Sequence, residues 1–291
     1  MFSVVIPTYN NINYLKICLN SLKKNSKFEH EIIIHINEGL DGTFEFVKKN
    51  NYKFSYNSKN QGVCVAFNEA AKLSTKKYLV LAHDDMYFCP KWDEVFLKEL
   101  KMHLPDKDFF LSGTMVQPFE SYIKLDCGKT YTDFNENKLL DEVHTIKYHD
   151  FQGTHWQPSL IPIKTWKKVS GFSEEFSPGL GSDPDFNMKL WNIGVRLFKG
   201  LGDCRVYHFS SVSLRKKTWN NGSKTFLLKW GITIKFFKKY YLRTNSLFDG
   251  ELIEPVITIR YILGLLKCKI IFIYSKIVSL KLLKRFFLKK I

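Results

Sequence analysis

Short apolar runs and helically spaced apolar positions alternate along the first hundred residues. Ser3–Ile6, Glu31–Ile36, Lys53–Tyr56 and Tyr78–Ala82 are runs of buried-strand type. Between the first two, Tyr14, Leu15, Cys18, Leu19 and Leu22 recur at helical spacing; Phe44, Phe46 and Val47 start a second helix; Val63, Ala66, Phe67, Ala70 and Ala71 form a third apolar stripe. Strand–helix repetition of this kind predicts a mostly parallel α/β sheet flanked by helices, with right-handed crossovers. Pro7 is expected to end the first strand, and Thr8–Asn11 to form a polar loop that caps the next helix. That loop, Asn37–Asp41 and His83–Asp85 should open at one sheet edge, where such folds bind nucleotides.

Beyond residue 104 the pattern weakens. Phe109–Thr114 predicts another strand, whereas Tyr122–Tyr148 is polar and receives no assignment. Asp185–Asn192 reads as a helix, with Pro184 at its first turn and Gly194 ending it, and Arg205–His208 closes the domain. The expected organisation is a domain over 1–214, with halves 1–104 and 105–214, and an appendage over 215–291.

Charge sharpens that boundary. The net charge is +16, yet residues 215–291 hold 18 Lys/Arg against 3 Asp/Glu, and residues 1–214 hold 26 against 25. The appendage mixes its cations with aromatic and aliphatic residues, and no uncharged run reaches the ~20 residues of a spanning helix. It suits an anionic membrane surface, or a helical appendage packed on the domain with a solvated basic face. No nucleic-acid-binding motif is present, which argues against a nucleic-acid partner. Six cysteines without a Cys-x-x-Cys pair read as reduced core residues, and the chain opens on a strand rather than a signal peptide. Both features favour a cytoplasmic protein, peripheral on the cytoplasmic face of a membrane if the appendage binds one.

The candidate chemistry lies at His83-Asp-Asp85. Two adjacent carboxylates cannot sit inside a strand without partners, so they belong at its carboxyl end. Two hard oxygen donors there suit Mg²⁺ or Mn²⁺ bridged to substrate phosphates, the plainer alternative being a solvated turn. The glycine fingerprints of dinucleotide folds and of P-loop enzymes are both absent.

Taken together, Val4-Val-Ile-Pro-Thr-Tyr-Asn10, the turn Asp41-Gly-Thr43, Asn60-Gln-Gly62 with Asn68, His83-Asp-Asp85, and Gly171-Phe-Ser-Glu-Glu-Phe176 before Gly181-Ser-Asp-Pro-Asp185 resemble the family 2 glycosyltransferases. The resemblance covers residues 1–210 and implies the GT-A nucleotide-binding fold. It also implies inverting, hexosyltransferase-type transfer of a sugar from a nucleotide-sugar donor to a glycan or lipid-linked acceptor. By position, Asp85 matches the metal ligand and Asp84 the ribose or sugar contact. Asp183 matches the catalytic base, with Asp185 beside it, and His208 matches a histidine that helps hold metal or diphosphate. Pro7, Thr8, Tyr9 and Asn10 would line the base and ribose; Asn60, Gly62 and Asn68 complete the donor side. Two positions depart from the pattern. Asn37 and Glu38 follow the second strand where the family usually has an acidic nucleotide contact, and Phe67 stands where an Arg is frequent, leaving that phosphate contact to another residue such as a tail lysine.

On this reading Asp183 takes the acceptor proton from a glycine-flexed loop, with Asp185 raising its pKa as a like charge. A helix cap is the structural alternative for Asp183, and a first-turn charge for Asp185. Trp156 suits sugar stacking or an ordinary rim position. Glu174 and Glu175 read as a solvated turn; His149 and His155 receive no role. Two rival functions are a sugar-phosphate nucleotidyltransferase, whose glycine- and lysine-rich loop is missing from Pro7–Asn11, and a nucleotide- or glycan-binding module without turnover.

Overall fold

A computed structural model describes residues 1–103, 107–119, 121–153, 156–209 and 220–288. The expected boundary at 214/215 and His155 therefore lie outside the described residues. The first strands are β1 (Ser3–Tyr9), β2 (Glu31–Asn37), β3 (Lys53–Asn57) and β4 (Tyr78–Leu81), all parallel to their neighbours in the order β3-β2-β1-β4. Helices α1 (Ile12–Asn25), α2 (Thr43–Lys49) and α3 (Val63–Lys72) make the crossovers.

A short β5 (Met86–Phe88), then α4 (Trp92–His103) and β6 (Phe109–Gln117), lead into the second half. There β7 (Ile123–Lys124), α5 (Glu136–Glu142), β8 (Phe151–Gln152), β9 (Ser159–Pro162), α6 (Ile163–Lys168), α7 (Ser182–Asn192) and β10 (Leu197–His208) follow. The sheet continues from β4 through β9, β6 and β10 to β5, with β9 antiparallel to both its neighbours and β5 antiparallel to β10. The unassigned stretch 122–148 thus supplies β7 and α5.

Both sheet faces are covered, which explains the continuous apolar runs. Phe2, Val4 and Ile6 pack with α1 and α4 on one face; Val5 packs with α3 and α7 on the other. Pro7 does not end β1, which pairs with β2 as far as Tyr9–Asn37. Val5 O accepts from Ala82 N at 3.0 Å, so Pro7, two residues on, also turns its backbone edge toward β4. Because β4 has already ended at Leu81, the missing Pro7 N–H breaks no ladder bond. Asn11 does occupy the N-cap of α1, but without a side-chain cap bond.

The basic appendage begins as part of the same core. Helices α8 (Gly222–Trp230) and α9 (Ile234–Tyr240) bury Phe226, Phe236 and Phe237 in one core with α3 and α7. Each such phenylalanine contributes roughly 1.5–3 kcal/mol of burial. The long α10 (Ile259–Leu288) touches α8 and α9 and buries Cys268, while Ile262, Leu263, Leu266, Ile270, Ile273 and Ile277 stay exposed. No helix among the described residues is long and apolar enough to cross a membrane. All six cysteines are buried and unpaired.

Candidate active site

The carboxyl ends of β1–β3 are laced together by side chains. The Glu38 carboxylate accepts from Asn10 Nδ2 and from the Asn60 backbone N–H, both at 3.2 Å. Asn10 Oδ1 accepts from Leu40 N at 2.7 Å, and Asn37 Oδ1 from Gln61 N at 3.1 Å. These residues, expected to contact the donor, first of all fix one another. Gly62 begins α3 at φ +86°, against Ser177 and Pro178 of the loop before α7. A side chain there would be strained and would also crowd Ser177 and Pro178, so the glycine lets the sheet edge meet that loop closely.

Asp84 and Asp85 follow β4 where the sequence places them. Both are buried, and Asp84 Oδ2 has no hydrogen-bond partner. Burial, then the neighbouring Asp85, raises the Asp84 carboxyl to about 7, opposed by the facing Thr8 and Asn11 side chains. Antiparallel pairing of β5 with β10 sets Met86 opposite His208, and Phe209 N donates to Asp85 O at 3.1 Å. That register brings His208 Nε2 to 3.3 Å from Asp85 Oδ1 across 123 residues of chain. The side-chain amide of Gln117, at the end of β6, lies 2.9 Å from His208 Nδ1 and fixes the ring.

Asp183 enters from the other side. Helix α7 starts three residues earlier than expected, with Gly181 at the N-cap (φ +85°), so Asp183 lies inside the first turn rather than in a loop or at the cap. Gln157 Nε2 donates to Asp183 Oδ1 at 2.9 Å. Burial raises the Asp183 pKa, partly offset by Gln157, His83 and Lys238. Asp183, Asp85, His208 and His83 line one cavity of about 820 Å³. His83 feels the charge of both Asp85 and Asp183, and burial holds its own pKa down.

Asp185, expected beside Asp183 in the chemistry, is turned away. Residues two apart on a helix face different directions, and Asp185 is fully buried beneath α8. It accepts from Ser173 Oγ at 2.6 Å and Trp230 Nε1 at 2.8 Å, and pairs with Lys229 Nζ at 2.9 Å. The charge is therefore a tie between α7 and the appendage, and it is not among the causes of the Asp183 shift. Asn68 is likewise committed elsewhere, its amide donating to Phe172 O and accepting from Phe172 N, both at 2.9 Å. Glu175 is not merely solvated, since Lys229 Nζ pairs with it at 2.7 Å.

Several site residues escaped the sequence reading. Gln117, Gln157 and Tyr122 line the cavity together with Trp156. Lys238 of α9 lies 5.1 Å from the Trp156 ring centre and within electrostatic reach of Asp183. Polar residues bordering apolar strands, such as Gln117 after Phe109–Val116, were the available signal for the first of these.

Residues 3–153, just over half the chain, match the family model for Glycosyl transferase family 2. The chain belongs to that family. Within glycosyl transferase family 2, it is 28% identical over 226 residues to a hyaluronan synthase of Pasteurella multocida, covering 74% of this chain and 21% of that one. A chondroitin synthase of Pasteurella multocida is also 28% identical, over 225 residues, with 74% and 21% covered. The chain thus spans about a fifth of the length of these two synthases. The crystal structure of S. aureus TarS 1–349 superposes with a TM-score of 0.54 at 20% identity, covering 71% of this chain and 60% of that one. A second crystal structure of the same TarS fragment, in complex with UDP-GlcNAc, also gives 0.54, over 72% and 61%. That likeness establishes the GT-A fold of this family 2 protein: a mostly parallel sheet flanked by helices.

The residues present fit a divalent cation. Asp85 Oδ1 and His208 Nε2 stand 3.3 Å apart, close to the about 3 Å between adjacent ligands on one octahedral ion. Asp84 Oδ2 beside them is a further buried oxygen donor without a hydrogen-bond partner. Among the described residues no cluster of three or more His, Cys, Asp or Glu could hold a metal alone. An ion held there would take its remaining ligands from water and substrate oxygens, as is usual for Mg²⁺ at phosphate sites.

Proposed function

We propose that this chain transfers a sugar, with inversion, from a nucleoside diphosphate sugar to a hydroxyl of a glycan or lipid-linked glycan. The observation that carries the reading is the shared cavity: Asp85 and His208 on the sheet-edge wall, Asp183 on the α7 wall. Family membership and the UDP-GlcNAc complex of the TarS fold relative support a nucleotide-sugar donor.

Asp85 and His208 would hold Mn²⁺ or Mg²⁺, which when bound neutralises the departing diphosphate. The chain's own residues do the rest. Pro7–Asn10 and the Glu38-laced loops shape the nucleotide side. Asp183, held by Gln157 and raised in pKa by burial, accepts the proton of the acceptor hydroxyl. The attacking oxygen then displaces the diphosphate from the opposite face of the sugar in one step. Replacing Asp85 by Ala should abolish the Mn²⁺-dependent thermal shift given by nucleoside diphosphates, and donor hydrolysis with it. Full turnover in that variant would remove the metal assignment.

Helix α10 supports a place at an anionic membrane surface. Its exposed Ile262, Leu266, Ile270, Ile273 and Ile277 form a stripe at helical spacing, accompanied by Lys267, Lys269 and Lys276. Leu266→Glu with Ile270→Glu should release the protein from phosphatidylglycerol vesicles in a flotation assay. Unchanged flotation would detach α10 from membrane binding.

A further inference from the structure

A second concavity lies beside the active site, formed by the appendage. It is a groove of about 780 Å³ lined by Lys235, Lys238, Lys239 and Arg243, with the hydroxyls of Ser223, Thr244 and Ser246 between them. Lys235, Lys238 and Lys239 are three and four residues apart, so they share one face of α9, while Phe236 and Phe237 bury into the core. Arg243 is paired with Asp249, at 2.6 Å, but none of the ion pairs among the described residues uses the three lysines. No carboxylate lines the groove.

The groove adjoins the active-site cavity at two points. Lys238 belongs to the groove and lies 5.1 Å from the ring centre of Trp156, which lines the cavity. Asn245 lines the cavity while its neighbours Thr244 and Ser246 line the groove. A chain lying in the groove would therefore reach the cavity next to Asp183, whose charge acts on Lys238.

We propose that the groove is the track of the acceptor, and that the acceptor is a polyanionic glycan strand. This rests on the reading of Asp183 as the base. A solvated basic helix face needs no concavity and no continuity with the cavity that holds Asp183. A neutral glycan would gain nothing from the three clustered cations, whereas a strand with regularly spaced anions pairs with them while its terminal hydroxyl reaches Asp183. The anion can be a uronate carboxylate or a backbone phosphodiester.

The test is binding by fluorescence anisotropy, at low and high salt, of three labelled oligomers of equal length: a uronate-containing oligosaccharide, a glycerol-phosphate oligomer and a neutral glucan. At least one anionic strand should bind, weaken with salt, and compete with neither nucleotide nor Mn²⁺; the arm that binds names the anion. The double variant Lys235→Glu, Lys239→Glu should bind it about tenfold or more weakly, with its melting temperature confirming that it folds. Equal binding of the glucan, unchanged binding by the double variant, or capture by phosphatidylglycerol vesicles but by neither soluble anion would overturn the proposal. Donor hydrolysis by the unaltered protein without acceptor is measured alongside. If it proceeds, or if Mn²⁺-dependent binding of nucleoside diphosphates is seen, while no anionic strand binds, the groove assignment alone fails; if neither hydrolysis nor nucleotide binding is seen, the transferase reading itself fails.

Discussion

The two walls of the cavity are built by different means. The sheet-edge wall is His83, Asp85 and Met86 after β4, with Gln117 of β6 and His208 of β10; the loops after β1 to β3, stitched together by Glu38, Asn10 and Asn37, do not line it. The facing wall is the loop before α7, the first turn of α7 and the turn at Gln157, backed by the appendage helices α8 and α9 through a shared apolar core and through side-chain hydrogen bonds. Asn220 is one such contact: its Nδ2 donates to Leu180 O at 3.0 Å and its Oδ1 accepts from Leu180 N at 3.1 Å, holding the loop before Asp183. Gly181 and Gly222 then approach so closely that a side chain on Gly222 would collide with Leu180 O. One wall is a property of the sheet; the other is braced by the basic appendage, whose helices share its apolar core.

That contrast can be broken first at Asp183. Asp183→Asn should lower the rate of transfer by about 10²–10⁴, the usual contribution of a positioned general base, measured under saturating donor and acceptor. The unaltered enzyme adds a pH signature. A base works deprotonated, so activity falls as pH drops through the Asp183 pKa, and burial places that limb above the ordinary carboxylate value of 3.8. A limb at or below 3.8 would separate Asp183 from the chemistry.

The second break is at Asp185, two residues away. Its carboxylate is the docking tie to Lys229 and Trp230. Asp185→Ala should cost about 3 kcal/mol of stability, the lower range for removing one partner of a buried pair since Lys229 is partly exposed. Activity per folded molecule should be largely kept, as read from denaturation curves and from rates on the folded fraction. Intact stability with lost turnover would return Asp185 to a catalytic role.

The difference between the walls also explains what could be read from the chain. Strands β1–β4 and helix α3 follow from local periodicity, and Asp84–Asp85 from the cost of burying adjacent charges, so the first half of the sheet and its carboxylate pair were legible. The pairing of His208 with Asp85 depends on the β5–β10 register, and the places of Gln117, Gln157 and Lys238 depend on packing between distant segments. No local pattern encodes these. The expectation for Asp185 failed on simple geometry: once α7 starts at Ser182, positions 183 and 185 cannot face the same cavity. Asn68 carries the family motif, yet it spends both ends of its amide on the Phe172 backbone.

The central claim is that one sugar spans the two walls, its diphosphate beside Asp85 and His208 and its reacting face toward Asp183. A crystal structure with an intact nucleoside diphosphate sugar and Mn²⁺ tests this most directly. The expected result is electron density for the diphosphate against Asp85 and the anomeric carbon between that group and the Asp183 carboxylate. Density that places the nucleotide outside this cavity, or Asp183 on the same face of the sugar as the diphosphate, would contradict the account.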